Sequence, residues 1–327
     1  MTRYVYSSVT RIADLNQPWQ MEPVPRENWA SGDYVIGEVT DPKSLHNVEL
    51  PSGRMVEVMA GDLVVGTWGA RAATLEAVGD WESIEGATFD ALTPAGLFGN
   101  ITSSSPFLPN LMQLEYRGHV VRNGRKLTMA DFVFDVPATT SDVPVILIVG
   151  TSMSAGKTMS GRLIIHLLSQ AGKKVVGAKL TGAARYRDVL SFHDAGADCV
   201  FDFVDVGLPS TVCEPEVYRE ALEKLLTRVA GTNPDVIVAE AGASPLEPYN
   251  GDTAVEMLGE RVKFMVLCAQ DPYAVLGVQQ AFQCDPDLVC GGAANTSAGV
   301  ALVEKLTGLR TLNLIDSSSH ETLTELL

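Results

Sequence analysis

One stretch of the chain, VILIVGTSMSAGKT from Val145 to Thr158, constrains the fold more than any other. Its five leading apolar residues end at Gly150 and predict a short buried strand, and the residues after Lys157 predict a helix. A strand, a polar loop and a helix in this order form a phosphate-binding device, because the loop amides and the positive end of the helix face the anion. Lys157 then adds a positive charge, and the Thr158 hydroxyl can bind Mg²⁺.

The spacing within this phosphate-binding loop, or P-loop, is unusual. Five residues separate Gly150 from Gly156 where the common motif has four, so Thr151 stands where the first glycine is expected. The alternative interpretation is an ordinary strand-to-helix turn that contains GKT by chance. The residues predicted to hold the phosphates are Thr151, Ser152, Ser154, Ala155, Gly156, Lys157 and Thr158.

Composition and charge limit the classes of protein to which the chain can belong. Its 327 residues suffice for two domains. No run reaches the roughly 18 apolar residues that span a bilayer, and the N-terminus lacks a secretory signal. The net charge of −16 argues against a nucleic-acid partner, because most of the surface repels phosphates. The five cysteines form no CxxC pair, which favours a reduced, cytoplasmic protein.

Residues 1–140 have a β-rich pattern that predicts a smaller N-terminal domain. Short β-rich runs are bounded by Gly, Pro and Asp, and Asn123-Gly124 marks a hairpin. A small barrel or sandwich is expected. The Gly- and Ser-rich segment 93–106 is interpreted as a surface connection, or as a loop that reaches the site of the second domain. Residues 137–144 are interpreted as a linker.

Residues 141–327 alternate between strand and helix patterns, which predicts an α/β domain with a mostly parallel, P-loop NTPase-like sheet. The clearest predicted helix covers 215–230, with Pro215 in its first turn and Gly231 just past its end. The predicted strands are 145–149, 174–179, 199–203, 235–239, 263–268 and 311–315.

Ligands of such sheets bind beyond the carboxyl ends of the strands, so the polar residues there are candidates for chemistry. Glu240 follows the fourth predicted strand and is a candidate Mg²⁺ ligand together with Thr158, the alternative being a carboxylate that caps the next turn. Lys179 ends the second predicted strand and is a candidate catalytic cation, or else a surface lysine. Asp188 is favoured as a further metal ligand, with Asp194 as its alternative.

The motifs resemble those of two related families. GTSMSAGKT resembles the GTDTxVGKT loop of dethiobiotin synthetase, with the same five-residue spacing, and AKLTG and AEAGAS resemble its lysine motif and its metal-binding VEGAGG. The resemblance covers roughly residues 145–300. More similar still is an uncharacterised P-loop family that includes a D-glutamate N-acyltransferase. Its VEGQGSLFHPAYSG resembles residues 238–251, its LCHDP resembles 267–272, and its ALNT and TGLP resemble 294–296 and 307–309.

The resemblance implies ATP at the loop, Mg²⁺ on Thr158 and Glu240, substrate contact by Lys179, and an adenine contact by Asn295. It also implies a homo-oligomer. The loop has Ser152 where dethiobiotin synthetase has Asp, and the biotin-pathway substrate residues lack clear equivalents, so dethiobiotin synthesis itself is not expected. The N-terminal half also looks unlike the Rossmann-like domain of the second family. Substrate contacts are expected from residues in the loops 181–198 and 243–252, namely Thr181, Gly182, Ser244 and Tyr249.

Three functions stay open at this point. The first is an ATP- and Mg²⁺-dependent ligase or kinase that activates a small carboxylate or amino-acid substrate by phosphoryl transfer. The second is an acyl-CoA-dependent N-acyltransferase acting on an amino acid, in which the loop holds a CoA phosphate. The third is a nucleotide-gated partner-binding protein whose N-terminal domain is the interaction module.

Overall fold

The computed structural model describes residues 3–41, 47–133, 142–282 and 285–327. The predicted domain boundary after residue 140 and most of the predicted linker lie outside these residues. Among the described residues, no helix combines the length and the apolar character needed to cross a bilayer. The chain forms two compact units. The first joins the described residues up to 133 with Gly182–Arg187 and Phe203–Ala221, and the second joins those of 142–181 with Asp188–Asp202 and the described part of Leu222–Leu327.

In the N-terminal part of the first unit, strands are the main regular structure. Its described residues up to 133 contain no α-helix and only short 3₁₀ turns. Most of the strands in these described residues belong to one ten-stranded sheet, and two form a separate hairpin. The strands are β1 Tyr4–Tyr6, β2 Gln20–Glu22, β3 Tyr34–Asp41, β4 Asn47–Glu49, β5 Met55–Glu57, β6 Leu63–Trp68, β7 Ala70–Ala72, β8 Ala77–Asp80, β9 Thr88–Ala91, β10 Leu97–Ser104, β11 Gln113–Arg122 and β12 Arg125–Lys126.

Part of this sheet closes on itself. β6 pairs with β3, β3 with β11, β11 with β9 and β9 with β10. β10 then returns to β6 through a parallel pair in which Phe98 lies opposite Trp68. The five strands therefore form a small barrel, and closure leaves none of them with an entirely unpaired edge. The hairpin predicted at Asn123-Gly124 is confirmed, since β11 and β12 pair across that turn.

Alternating side chains of the barrel strands supply two apolar clusters. Along β3, Val35 and Val39 pack into one cluster with Trp68, whereas Tyr34 and Ile36 pack into another. This is the two-residue period of a strand that is buried on both faces. The second cluster also contains residues from later in the chain, Ala184, Phe203 and Val204. Those segments therefore form part of the core of the first unit.

The interpretation of 93–106 as a connecting loop was wrong for most of the segment. Leu97–Ser104 is strand β10, and Leu97 and Phe98 are fully buried. The run of Gly, Asn, Thr and Ser that suggested a loop lies within a paired strand. The apolar start of β10 packs in the core, while the rest of the strand pairs with β8 across a register shift between Ile101 and Ser103.

The second unit contains a six-stranded, wholly parallel sheet in the order β15-β14-β16-β13-β17-β18. Five of the six predicted strands are confirmed, but the prediction of a strand at 311–315 was wrong. In that segment only Thr311 makes a bridge, to Val289, and the sixth strand lies earlier in the chain. The strands are β13 Val145–Gly150, β14 Val175–Thr181, β15 Cys199–Asp202, β16 Val236–Ala241, β17 Val262–Cys268 and β18 Leu288–Cys290.

Helices follow most strands of this sheet along the chain. The predicted helix 215–230 is confirmed as Pro215–Gly231, with Leu222, Leu225 and Val229 buried. Val217, in the first turn of the helix, is 49% exposed. The helices are α1 Lys157–Gln170, α2 Tyr186–Asp194, α3 Pro215–Gly231, α4 Gly251–Leu258, α5 Pro272–Phe282, α6 Ser297–Thr307 and α7 His320–Leu326.

Candidate phosphate-binding site

The loop between β13 and α1 has the geometry of a P-loop. Gly156 precedes the helix with a φ of 102°, a left-handed conformation that a residue with a Cβ adopts only with strain. Ser154 also has a positive φ, of 63°. The Thr151 amide donates to the carbonyl of Cys268 at 3.0 Å, which fixes the start of the loop to β17. The loop leads directly into the N-terminal amides of α1, which attract an anion.

Lys157 is the first residue of α1, and its side chain contacts the loop. Its side chain is almost fully buried, and its Nζ donates to the carbonyl of Ser152 at 2.7 Å. Burial lowers the pKa of Lys157, and this effect exceeds the opposing one of the Glu240 carboxylate. An anion bound in the loop would supply a negative charge that stabilises the buried ammonium group of Lys157. The predicted contact of Lys157 with phosphate stays a prediction.

Thr158 and Glu240 come together as the sequence predicts. The Thr158 hydroxyl donates to Oε2 of Glu240 at 3.0 Å, and Glu240 is 3% exposed. Burial raises the pKa of Glu240 even though Lys179 and Lys157 act in the opposite direction. A hydroxyl and a carboxylate are ligands that Mg²⁺ prefers, and Mg²⁺ commonly completes its shell with water and phosphate oxygens. These two residues fit a magnesium ion bound together with a phosphate group.

Strand register explains why further charged groups meet here. Lys179 lies opposite Asp202 of β15 and opposite Glu240 of β16. Residues paired in this way on parallel strands project from the same face of the sheet. Lys179 therefore has carboxylates on both neighbouring strands. Asp202 is fully buried, and sequence analysis did not select it although it lies near the end of the third predicted strand.

Asp188 completes this group of charges. It lies in the first turn of α2, and its Oδ2 accepts a hydrogen bond from Nζ of Lys179 at 2.5 Å. Burial alone would lower the pKa of Lys179, but Asp188, Glu240 and Asp202 together raise it above its ordinary value. Asp188 therefore contacts the lysine that sequence analysis selected. Asp194, its alternative as a metal ligand, is exposed at the other end of the helix.

The predicted substrate residues are placed less favourably for contact with a ligand. Thr181 is 1% exposed, and its hydroxyl accepts a hydrogen bond from the Gly242 amide at 3.0 Å. Tyr249 is fully buried and offers no surface to a substrate. Gly182 belongs to the first unit, where its amide donates to the Thr211 hydroxyl at 2.9 Å.

The remaining predicted residues border the loop or the end of the sheet. Ser244 is half-buried, and its amide donates to Glu247 at 2.6 Å. Ser152 and Ala155 are buried within the loop. Asn295 is exposed just before α6, and its predicted contact with adenine stays a prediction.

Gln270, which sequence analysis did not select, supports the loop from the end of β17. Its side-chain Nε2 donates to the carbonyl of Ser154 at 2.8 Å, and its amide donates to the Thr151 hydroxyl at 3.3 Å. The sequence signal for it was its place two residues after the buried strand. Among the described residues, no cluster of three or more His, Cys, Asp or Glu suited to a metal occurs.

Comparison with known proteins gives similarity in part of the chain. No family model and no curated protein matches it. The chloroplast FtsY of Physcomitrella patens is 15% identical with a TM-score of 0.38, over 56% of this chain and 62% of that one. A DUF1611 family protein from Anabaena variabilis is 18% identical with a TM-score of 0.38, over 59% of each chain. HypB from Archaeoglobus fulgidus is 14% identical with a TM-score of 0.38, over 57% of this chain and 88% of that one.

The alignment thus spans less than two thirds of the FtsY and DUF1611 chains. At these identities and TM-scores, the similarities carry no argument about activity, nucleotide or substrate. The P-loop NTPase-like fold of the second unit follows from its own parallel sheet and its loop geometry. None of the three structures is described as a dethiobiotin synthetase, so that part of the resemblance stays a prediction.

Proposed function

We propose that the second unit binds a nucleoside triphosphate, ATP by resemblance, and transfers its terminal phosphoryl group to a small carboxylate or amino-acid substrate. The observation that carries this proposal is the contact of Thr158 with Glu240 at 3.0 Å beside the ammonium groups of Lys157 and Lys179. A hydroxyl–carboxylate pair next to two buried cations suits a metal-bound polyphosphate better than a lone phosphate.

The position of each residue in the site suggests its role in the proposed reaction. The loop amides, the start of α1 and Lys157 would hold the phosphates, and Thr158 with Glu240 would hold Mg²⁺. Bound Mg²⁺ supplies charge neutralisation at the phosphate oxygens. Lys179 would stabilise the negative charge shared by the transferring group and the substrate carboxylate. Asp188, at 2.5 Å from Lys179, keeps that ammonium charged and oriented.

The chemistry needs no nucleophile from the protein. A substrate carboxylate oxygen would attack the γ-phosphorus as the bond to the β-phosphate oxygen breaks, which gives an acyl phosphate and a nucleoside diphosphate. An amine could then displace phosphate from the acyl phosphate. Preorganised charge and positioning would supply the rate acceleration, as in other phosphoryl transfers.

The first experiment is a thermal-shift panel with Mg²⁺·ATP, Mg²⁺·GTP, CoA and acetyl-CoA. A ligand at about 100 times its dissociation constant stabilises a protein by about 2.7 kcal/mol, which is easily measured. We expect a Mg²⁺-dependent shift with a nucleoside triphosphate that Lys157→Ala abolishes. Lys173→Ala removes an exposed lysine beyond the end of α1 and is the matched control. Far-UV circular dichroism verifies that each variant folds.

The other outcomes separate the alternatives. A shift with CoA thioesters and none with nucleotides would replace phosphoryl transfer by N-acyl transfer. If a nucleotide binds, nucleoside diphosphate release is measured with panels of carboxylates and amines. Release that no acceptor accelerates would favour the nucleotide-gated partner-binding protein. Acceptor-dependent release that falls at least about a hundredfold in Lys179→Gln would support the proposed role of that lysine.

A further inference from the structure

A cavity in the first unit has the chemistry of a second binding site. It has a volume of about 690 Å³ and is lined by residues of β1, the segment 10–16 and the hairpin β4–β5. Among the described residues that line it are three arginines, Arg3, Arg11 and Arg54, and no aspartate or glutamate. In a chain with a net charge of −16, such a concentration of guanidinium groups is unexpected. We refer to it as the arginine cavity.

Two of the three arginines have carboxylate partners outside the lining. Arg11 pairs with Asp205 at 3.0 Å and lies over the ring of Tyr186, 4.3 Å from its centroid. Arg3 pairs with Asp62 at 3.3 Å and stays 46% exposed. Both residues also line the cavity.

Arg54 supplies the uncompensated charge. Its guanidinium group makes no hydrogen bond or ion pair with any described residue. The turn that carries it is nonetheless ordered, because the Leu50 amide donates to the Arg54 carbonyl at 2.9 Å and the Gly53 amide donates to the Leu50 carbonyl at 2.8 Å. The hairpin therefore presents a free planar cation to the cavity from a defined backbone position.

The rest of the lining is largely apolar or aromatic. Tyr4 and Tyr6 form part of the wall, and both rings make edge contacts with Trp19, with centroids 5.6 and 6.5 Å away. Leu50 and Val56 of the hairpin contribute aliphatic surface. An inorganic ion alone would leave these walls unused. Pockets for small organic ligands commonly have this mixture and volumes of about 300–1,000 Å³.

We propose that the arginine cavity binds a small organic anion, a carboxylate or phosphate ester with an apolar body, through Arg54 and Arg3. The planar fork of arginine matches carboxylate and phosphate oxygens with two parallel hydrogen bonds. The tyrosine rings and aliphatic side chains would cover the body of the ligand. This site is independent of the P-loop and does not rest on the function proposed for it.

Calorimetric titration of the full chain tests the proposal with three probes of similar size. Benzoate and phenyl phosphate carry the two candidate anionic groups, and benzamide is the neutral counterpart. We expect saturable binding of at least one anion, one per chain, and no binding of benzamide. Which anion binds more tightly identifies the headgroup. Equal affinity for benzoate and benzamide, or no saturable binding of either anion at 10 mM or about that level, would overturn the proposal.

Variants locate the bound anion. Arg54→Gln should weaken binding at least about tenfold, because a charged hydrogen-bond pair is lost, and Arg54→Lys should weaken it less. Since this guanidinium makes no hydrogen bond or ion pair with any described residue, its loss should not impair folding. Arg117→Gln removes an exposed arginine of β11 outside the cavity and should leave affinity unchanged. Lys157→Ala should also leave it unchanged, and loss of binding in that variant would place the anion at the P-loop and contradict the proposal.

Discussion

At the scale of single residues, folding and metal binding favour opposite protonation states of the Glu240 carboxyl group. Burial raises its pKa, so the folded chain binds a proton at this carboxyl more tightly than the unfolded chain does. Stability that is present at low pH is therefore lost as the pH rises from the ordinary value of 4.5 through the raised folded pKa. A bound metal would reverse this preference, because it requires the ionised form.

We accordingly expect Glu240→Gln to be more stable than the parent protein without ligand at pH 8, with the advantage decreasing towards pH 5. The amide keeps the shape of the side chain and removes the buried charge. Urea unfolding across this pH range measures the effect. Glu223→Gln, on an exposed position of α3, is the control and should show no such trend. A parent protein more stable than the glutamine variant at pH 8 would contradict the expectation.

Gly242 is a second residue whose identity the site constrains. A Cβ at this position would lie 2.1 Å from the Thr181 carbonyl oxygen and 3.1 Å from Cε of Lys179. We expect Gly242→Ala to lower the free energy of unfolding by about 1–3 kcal/mol, as other overpacked substitutions do. Gly277→Ala is the matched control, since a Cβ there meets nothing within 4 Å and alanine favours the helix. Denaturant unfolding of both variants compares them, and equal stability would refute the steric argument.

Sequence analysis selected the polar residues that belong to motifs of recognisable spacing. It did not select the one that joins them only through the register of paired strands. Lys157, Thr158, Lys179 and Glu240 follow motifs and were found. Asp202 reaches the same face only because β15 pairs with β14 in a particular register, which the sequence does not encode locally. Residues predicted from the following loops were harder to judge, because burial depends on how each loop packs. Tyr249, a plausible ligand contact in sequence, is enclosed by its surroundings.

At the scale of secondary-structure elements, α2 begins with an external cap. The Glu49 carboxylate accepts hydrogen bonds from the amides of Tyr186 and Arg187 at 2.8 and 2.9 Å, and from the Ser8 hydroxyl. The first amides of a helix lack partners within the helix, and a carboxylate there also interacts favourably with the helix dipole. Glu49 is itself buried, so these bonds replace its hydration.

Glu49→Ala should therefore lower the free energy of unfolding by about 1.5–3 kcal/mol, the range for hydrogen bonds to charged groups. Glu49→Gln should lower it less, because one oxygen acceptor stays. Glu82→Ala removes an exposed carboxylate of the same unit and should change stability by less than about 0.5 kcal/mol. Urea unfolding monitored by circular dichroism compares the three variants. If Glu49→Ala matches the Glu82 control, the cap contributes no net stability.

Strand prediction succeeded for the long apolar strands of the second unit and for the four-residue β15, and it failed for β18, the shortest. β13, β14, β16 and β17 each have six or seven residues and were found. β18 has three, Leu288–Cys290, and such a short apolar run gives little signal against the alternating polar and apolar residues at 311–315. Leu314 in that later run is indeed buried, so its hydrophobic character reflects packing against the sheet rather than membership of it.

At the scale of the whole molecule, each of the two structural units is built from separate stretches of the sequence. The composition change near residue 140 predicted two consecutive domains, yet 182–187 and 203–221 belong to the compact unit that begins at the N-terminus. Ala184, Phe203 and Val204 pack there with Val9 and Ile36. No pattern within those short segments indicates which unit they join, because the decision is made by packing between residues distant in the chain.

A fragment of residues 142–327 should therefore fold poorly by itself. It would keep Phe203 and Val204, which are fully buried in the intact chain, without the apolar partners that cover them. We expect low soluble yield and no cooperative thermal transition, measured by size-exclusion chromatography and calorimetry. Co-expression with residues 1–141 should restore both. A monodisperse, cooperatively melting fragment would show that the segments are dispensable for the fold of the second unit.

Homo-oligomer formation stays a prediction, and the same chromatography of the full chain tests it.

The interleaving of the two units also bears on how such a protein can change over evolutionary time. A domain encoded by one uninterrupted stretch can be gained, lost or exchanged by a single recombination event. Here a crossover near residue 140 would deliver a β-barrel without the segments 182–187 and 203–221 that complete its unit. We therefore expect the barrel and the parallel sheet to have been inherited together. A lineage that lost one of them would have had to rebuild the other.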